Sequence, residues 1–378
     1  MIPVLLDYET LRVLWWLLLG LLLIGFAITD GYDLGMAALL PWVARNEDER
    51  EHVLETVEPV WEGNQVWLIT GGAASFAAWP PLYGVSFSGF YFAMLLVLLA
   101  LIVRPVGFGF RSKIDDARWR KLWDIALTVG GIVPALIFGV AFGNLLQGVP
   151  FSFDALMRAT YTGTLIDLLN PFGLLCGLVS LAMLLTHGGT WVALTTHGAI
   201  ADRARQAAMV TGAATIVLFA VGGFVVGNID GYRIVGEALT LDASNPLGKT
   251  VERAVGAWLD NYSTMSWTLL APALGFIGAA LAIVFSYGKR SALAFASSCA
   301  SLIGIVATPG LAMFPFLLPS STMPNHSLTV WDASSSQNTL WIMLLVTIFF
   351  LPIILAYTAW VLRVVFGPGT KTKNDTHY

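Results

Sequence analysis

Repeated runs of about twenty apolar residues are the feature that most limits how this chain can fold. A segment surrounded by hydrocarbon must satisfy its backbone hydrogen bonds internally, so runs of this length predict transmembrane helices. Hydrophobic residues make up 57% of the sequence and charged residues 12%, which is typical of that class. We therefore predict an all-α integral membrane protein with a single polytopic domain over residues 1–378. No strongly basic face points to nucleic acid.

The apolar runs predict about nine helices. Their approximate ranges are 11–43, 61–80, 82–103, 123–147, 165–186, 207–227, 264–287, 291–318 and 339–363. The first is overlong, at roughly 50 Å against roughly 30 Å of hydrocarbon, and must tilt or project from the membrane. Because the N-terminus has no basic leader and no small-residue cleavage site, we expect this span to be retained.

A cluster of basic residues between the third and fourth runs orients the helices. Its members are Arg104, Arg111, Lys113, Arg118, Arg120 and Lys121. Basic loops stay on the cytoplasmic side, which makes the N-terminus external and the C-terminus cytoplasmic. Of the 20 Lys and Arg residues, all then lie inside except Arg12, Arg158, Arg233, Lys249 and Arg253.

The connecting segments are short. Residues 46–60 predict an interfacial helix with Asn46 as its N-cap. Two longer external loops cover residues 228–263 and 319–338. Within the first, Val251, Val255, Trp258 and Leu259 form an amphipathic helical pattern. The tail from Gly367 is polar, and we expect it to be mobile.

Two acids inside the first span are the strongest candidate functional residues. Asp30 and Asp33 share one helix face, about 26 Å from the external end of the span. A carboxylate within a span costs roughly 2.5–3.5 kcal/mol on insertion scales, so it normally faces a partner or water. Two close carboxyl groups can share a proton, which suits proton uptake. The alternative is a structural pair hydrogen-bonded to neighbouring helices.

Two further charged residues enter the spans. Glu62 starts the second helix, where it either stabilises the helix dipole or carries protons, with Asn64 and Gln65 beside it. Arg104 ends the third span before Pro105, either as a snorkelling anchor or as the counter-ion of a buried acid.

Candidate metal ligands are scarce. The five histidines are predicted to fall in loops, at span ends or in the tail. His187 is the marginal candidate ligand, and a hydrogen-bonded histidine at a loop edge is its expected role. A haem held within the membrane by this chain alone would need buried ligands of that kind. Cys176 and Cys299 lie in separate apolar runs, where core packing is the expected role. We predict no metal site in this chain.

Several motifs in order carry a family resemblance over nearly the full length. They are Asp30-Gly31-Tyr32-Asp33-Leu34-Gly35, Trp61-Glu62-Gly63-Asn64-Gln65-Val66-Trp67, Phe87-Ser88-Gly89-Phe90-Tyr91, Arg104-Pro105-Val106-Gly107-Phe108, 142–151, Met313-Phe314-Pro315-Phe316 and Leu328-Thr329-Val330-Trp331-Asp332. The chain resembles subunit II of the cytochrome bd-type quinol oxidases.

The resemblance implies a terminal oxidase of the bacterial inner membrane. Such an oxidase oxidises quinol, reduces dioxygen to water and contributes to the proton motive force. Two b-type haems and one d-type haem are ligated mainly by a partner, subunit I, and a small single-span subunit often completes the complex. Subunit II is implied to form two four-helix bundles plus one peripheral helix, and some relatives bind a quinone. Besides these subunits, quinol and dioxygen, the expected partner of the chain is membrane lipid.

The resemblance also implies roles for individual residues. The acid at Glu62 helps to carry protons from the cytoplasm, although many members have Asp there, and Trp67 lies near an oxygen or proton route. Asp30 and Asp33 would join that path, with Arg104 as counter-ion. Two other hypotheses stay open. An ion-coupled secondary transporter also has buried acids and glycine-broken helices. A purely structural scaffold predicts that neutralising Asp30 or Glu62 leaves turnover intact.

Overall fold

The computed structural model describes residues 4–236 and 240–366. Helices dominate both ranges, and they are α1 (Tyr8–Val43), α2 (Glu47–Glu55), α3 (Trp61–Ala78), α4 (Pro80–Gly89), α5 (Tyr91–Phe110), α6 (Ala117–Gln147), α7 (Leu165–Leu168), α8 (Pro171–Thr195), α9 (Gly198–Val226), α10 (Asp260–Thr264), α11 (Leu270–Tyr287), α12 (Ser291–Met313) and α13 (Gln337–Phe366). Eight of the described helices are long and apolar enough to cross a membrane, which confirms a multi-pass membrane protein. The long helix outside this group is α3, whose first turns carry Glu62, Asn64 and Gln65.

Several predicted boundaries were wrong. The range 82–103 is two helices, because α4 begins at the proline pair Pro80-Pro81 and α5 begins after a break at Phe90. The range 165–186 becomes α8, displaced towards the C-terminus by the cap at Asn170 and the proline at the first helical position. The range 207–227 starts nine residues earlier, as α9, and 264–287 becomes α11, preceded by short turns. The range 291–318 ends as a helix at Met313.

Helix α1 lies at the centre of the packing. It contacts α3, α6, α8, α9, α12 and α13. Its second half is closely packed, since a Cβ on Gly35 would overlap the carbonyl of Leu184 in α8, and a Cβ on Gly131 of α6 would overlap the carbonyl of Leu34. Small residues therefore bring three helix backbones together around residues 30–38. By contrast, α13 exposes most of its surface.

One end of the molecule is held by ion pairs, and we call it the Asp124 end. Arg111 is buried and bonds Asp124 at 2.6 Å and Glu47 at 2.7 Å, while Arg50 bonds Asp124 at 2.9 Å. These contacts fix α2, whose first turn is capped by the side chain of Asn46. The predicted range for this helix, 46–60, is longer than the observed α2.

A second contact ties α2 to α9. Glu49 bonds Arg203 at 2.6 Å, and the hydrogen bond from the Arg203 guanidinium holds the pKa of Glu49 below its usual range. A lowered folded-state pKa means that this pair contributes stability above the unfolded pKa of glutamate, and that the contribution disappears as the pH falls through the folded value.

The opposite end, which we call the Arg12 end, is covered by ordered loops. It carries three two-stranded antiparallel sheets, β1 (Phe151–Phe153) with β2 (Ala159–Tyr161), β3 (Asp230–Val235) with β4 (Thr250–Val255), and β5 (Phe316–Leu318) with β6 (Leu328–Thr329). The amphipathic helix expected at residues 251–259 is therefore wrong. Val251 and Val255 lie in strand β4, and Trp258 and Leu259 lie in a single 3-10 turn, Ala257–Leu259. The Trp258 indole donates to Leu146 O at 2.8 Å.

Arg12 fastens α1 to these loops. Its side chain has no exposed surface, and it donates to Ser334 Oγ at 2.8 Å, Thr240 O at 2.5 Å and Asp242 O at 3.0 Å. Lys249 and Asp332 add an ion pair of 2.8 Å between the two loops. Ser and Thr are abundant at residues 319–338 because many of them are buried hydrogen-bonding partners in this cap. The tail from Gly367, with Lys371, Lys373 and His377, lies outside the described residues.

Candidate functional site

An ion pair buried between α1 and α5 forms the core of the site. Arg104 Nη2 lies 2.5 Å from Asp30 Oδ1, and Arg104 Nη1 lies 3.1 Å from Asp30 Oδ2. Neither side chain has exposed surface. Gly130 of α6 makes room for the arginine, since a Cβ there would lie 3.2 Å from Arg104 Cγ. This two-pronged geometry is the strong form of a carboxylate–guanidinium contact.

The second acid of the pair faces α3. Asn64 Nδ2 lies 2.9 Å from Asp33 Oδ2 and 2.7 Å from the hydroxyl of Tyr32. The Tyr32 ring stacks on Trp191 of α8 with 4.0 Å between ring centroids. The three helices α1, α3 and α8 thus meet at this polar group, which lies nearer the Asp124 end than the Arg12 end.

Two atoms of this site have no hydrogen-bond partner among the described residues. They are Asp33 Oδ1 and Arg104 Nε, and both are buried. Buried polar atoms are normally satisfied by protein or by ordered water. These two atoms are therefore free to accept or donate one further hydrogen bond each.

His187 lies next to this site, and its predicted position at a loop edge was wrong. It sits inside α8 with no exposed surface. Its Nε2 is 2.8 Å from Ile28 O, and its Nδ1 is 2.8 Å from Ser298 Oγ of α12. Because a carbonyl can only accept, the Nε2 atom carries a proton. The error followed from placing the end of this span nine residues too early.

Comparison with known proteins places the chain. It matches the family of cytochrome bd terminal oxidase subunit II over residues 11–365. The chain belongs to the cytochrome bd terminal oxidase subunit II family. It is 50% identical over 374 residues to the Escherichia coli K12 protein named cytochrome bd-I ubiquinol oxidase subunit 2, covering 98% of this chain and 99% of that one. This subunit II is therefore part of a quinol-oxidising terminal oxidase complex.

More distant relatives agree in fold and family. The Bacillus subtilis protein named cytochrome bd ubiquinol oxidase subunit 2 is 30% identical over 352 residues, covering 93% of this chain and 94% of that one. A solved chain of the bd oxidase from Geobacillus thermodenitrificans aligns with a TM-score of 0.70 at 15% identity, covering 94% of this chain and 98% of that one. The last comparison shows shared architecture only.

Haem does not fit the histidine that this subunit II buries. Both ring nitrogens of His187 are already engaged by Ile28 and Ser298, so neither is free to bind iron. His326 accepts the Phe153 amide at 3.0 Å through Nδ1. Within residues 4–236 and 240–366, no three His, Cys, Asp or Glu side chains lie close enough to hold a metal ion. Cys176 and Cys299 are free.

Glu62 and Trp67 lie on different sides of α3. Glu62 is exposed, and no hydrogen bond or ion pair among the described residues joins it to Asp30 or Asp33. Trp67 is half-buried, and its ring fills the space beside Gly25 of α1. Of the predicted site residues, the structure thus brings Asp30, Asp33 and Arg104 together and leaves Glu62 on the surface of the subunit.

Sequence reasoning missed two parts of the site. Tyr32 gives no functional signal in the sequence, because an aromatic residue in an apolar span is usually a packing residue, although it lies between the two acids. Asn64 is adjacent to Glu62 in the motif, but it lies on a different face of α3. A helical wheel placing Asn64 and Trp67 on one face, away from Glu62, could have indicated the partner.

Proposed function

We propose that this subunit II assembles with a haem-bearing subunit I in the bacterial inner membrane and lines the route by which protons enter the enzyme from the cytoplasm. The complex would oxidise quinol, reduce dioxygen to water and contribute to the proton motive force. The observation that carries the proposal is the group of Asp30, Asp33 and Arg104, buried between helices near one end of the molecule. Family membership replaces the secondary-transporter hypothesis.

The cofactors are assigned to the complex rather than to this chain. Subunit I would ligate two haems b and one haem d, which supply dioxygen reduction, and a small single-span subunit would complete the assembly.

A quinone is proposed for a cavity of about 540 Å³ between α1, α6, α8, α9, α11 and α12. Its lining is almost entirely apolar and includes Phe26, Phe142 and Phe219, which suits a prenylated ligand. Organic extraction of the purified complex would detect it.

We propose two four-helix bundles, α1, α3, α5 and α6 against α8, α9, α11 and α12, with α13 at the periphery of α1. The pairwise helix contacts support this grouping. The Asp124 end would face the cytoplasm, because most of the basic residues of the connecting segments lie there.

Orientation is tested by cysteine labelling of intact spheroplasts. A membrane-impermeant thiol reagent should label a cysteine at Thr322 and miss one at Ser112, since both positions are exposed but lie at opposite ends. The parent chain, with Cys176 and Cys299 half-buried in helices, gives the background. Labelling at Ser112 alone would reverse the orientation and remove the cytoplasmic proton route.

A proton route needs an entry group at the surface and a carrier inside. Glu62 is exposed in the first turn of α3. Asn64 lies two residues after Glu62 on the same helix and donates to Asp33. The surface acid and the buried acid are therefore linked through one helix but separated by its thickness. We propose that water or subunit I bridges Glu62 to the buried pair, with Trp67 packed beside that route.

Glu62→Gln tests this role. The substitution keeps the side-chain volume but removes the titrating group, so quinol-driven oxygen consumption per assembled haem should fall by about 100-fold, the low end of what a positioned proton-transfer group contributes. Haem spectra and subunit ratio should stay normal. Glu58→Gln is the matched control, because Glu58 is also exposed and lies just before α3. Normal turnover per haem in Glu62→Gln would favour the scaffold hypothesis.

A further inference from the structure

The buried charges of the site do not balance. Asp30, Asp33 and Arg104 have no exposed surface, and Arg104 spends both terminal nitrogens on Asp30. Asp33 is left without a cation of its own. The polar or titratable groups around it are Asp30 and Tyr32 on α1, Arg104 on α5, Asn64 on α3 and, beyond Tyr32, His187 on α8. A buried carboxylate without a partner cation is costly, and such a group normally neutralises.

The Asn64 amide can serve either charge state of Asp33. One terminal atom of this amide lies 2.7 Å from the Tyr32 hydroxyl and 2.9 Å from Asp33 Oδ2. If that atom is nitrogen, it donates to both oxygens, and the Tyr32 proton and Asp33 Oδ1 are left without partners among the described residues. If the amide is rotated so that the atom is oxygen, it accepts the Tyr32 O–H and an O–H on Asp33. Amide nitrogen and oxygen occupy nearly the same positions, so both arrangements fit the same heavy atoms.

We propose that Asn64 and Tyr32 stabilise a proton on Asp33. When this proton leaves, the side-chain amide of Asn64 rotates so that its nitrogen and oxygen exchange places. In the loaded arrangement, Asp33 Oδ2–H and Tyr32 O–H both donate to the Asn64 oxygen. On release, the Oδ2–H bond breaks and the proton passes to a water molecule. The Asn64 nitrogen then donates to the new carboxylate. This inference rests on the proposed proton route, in which Asn64 and Tyr32 are positioning residues that act through Asp33.

The arrangement fixes the sign of one substitution. The Tyr32 hydroxyl makes one hydrogen bond to the Asn64 amide in either arrangement, but its proton has an acceptor only while Asp33 is protonated. An unsatisfied donor costs more than an unused lone pair, so the tyrosine favours the loaded state. Tyr32→Phe keeps the ring that stacks on Trp191 and removes that preference. Leaving a buried hydroxyl proton without an acceptor costs at least about 1 kcal/mol, so once this hydroxyl is removed Asp33 should lose its proton at a pH lower by roughly one unit.

The experiment uses the purified oxidase complex and infrared spectroscopy across a pH series. A protonated carboxyl band that is absent in Asp33→Asn reports the proton. Its pH midpoint should fall by roughly one unit in Tyr32→Phe, and the acidic limb of the turnover profile should move with it. In an Asn64→Leu background, Tyr32→Phe should cause no further shift, because the amide that connects the two groups is gone. Haem spectra and subunit ratio confirm assembly in each variant.

Two outcomes would overturn the inference. One is a wild-type complex without an Asp33-dependent carboxyl band, and the other is a midpoint that Tyr32→Phe leaves unchanged. The proposed proton route fails separately. If Asp33→Asn and Glu62→Gln both turn over normally while the band shifts as expected, the hydrogen-bonding switch stands and its place on the route does not.

Discussion

Replacing Arg104 with glutamine is expected to be among the most damaging single substitutions in this subunit. It leaves Asp30 buried without its cation, next to a second buried acid, and breaking a buried ion pair from one side costs about 3–5 kcal/mol. Little or no complex should assemble at growth temperature. The yield of haem-containing complex and its thermal midpoint after solubilisation measure the loss.

Two controls separate charge from bulk. Arg104→Gln combined with Asp30→Asn removes both members of the pair, and it should recover most of the assembly that the single change loses, because no uncompensated charge remains. Arg118→Gln removes an exposed arginine near the Asp124 end and should leave assembly unchanged. If the double variant is as poor as Arg104→Gln alone, the pair is not held by charge compensation.

Gly35→Ala is the second substitution with a large expected effect. The new methyl group would overlap the carbonyl oxygen of Leu184 and approach Gly188 Cα at 3.0 Å, so α1 and α8 would have to separate. Backbone atoms cannot rotate away as a side chain can, and overpacking at such a contact costs about 3 kcal/mol. Thermal unfolding of the assembled complex, or failure to assemble, reports this cost.

Gly20→Ala is the matched control on the same helix. Nothing lies within 4 Å of a Cβ at Gly20, so the change should be neutral or slightly stabilising. Equal stability of the two alanine variants would show that the α1–α8 contact is looser than the backbone geometry indicates.

The membrane class and the family of this chain could be predicted from its sequence. Apolar runs impose helices because hydrocarbon offers no partner for the backbone, and the order of several motifs pointed to the family that the comparisons show. The predicted helix boundaries were wrong where capping residues, prolines or helix breaks interrupt an apolar run. Asn170-Pro171 starts α8 inside an apolar stretch, and the break at Phe90 divides what reads as one continuous span.

The candidate site could be predicted in kind but not in its pairings. A carboxylate inside an apolar span needs a partner or water, so the position of Asp30 and Asp33 in the first span marks them as candidates. The partner of each acid depends on how the helices are rotated and on how closely Gly35 and Gly131 let them approach. The spacing of residues along one helix gives neither quantity. Asn64 and Tyr32 look ordinary until three helices bring them together. The order of the loops at the Arg12 end could not be predicted for the same reason, because their hydrogen-bonding partners are distant in sequence.

The contacts of Arg12 bear on how the chain is made. During synthesis α1 leaves the ribosome before the loops that it contacts, since Arg12 bonds residues that follow it by 228, 230 and 322 positions. Arg104, the partner of Asp30, is likewise synthesised 74 residues after it. Helix α1 therefore acquires its full set of partners only after most of the other helices have been made, and its charges lack these partners until then. A nascent chain that stops before the loop at 319–338 leaves Arg12 without the hydroxyl of Ser334, so the first helix of a truncated subunit keeps an unsatisfied guanidinium N–H at the Arg12 end.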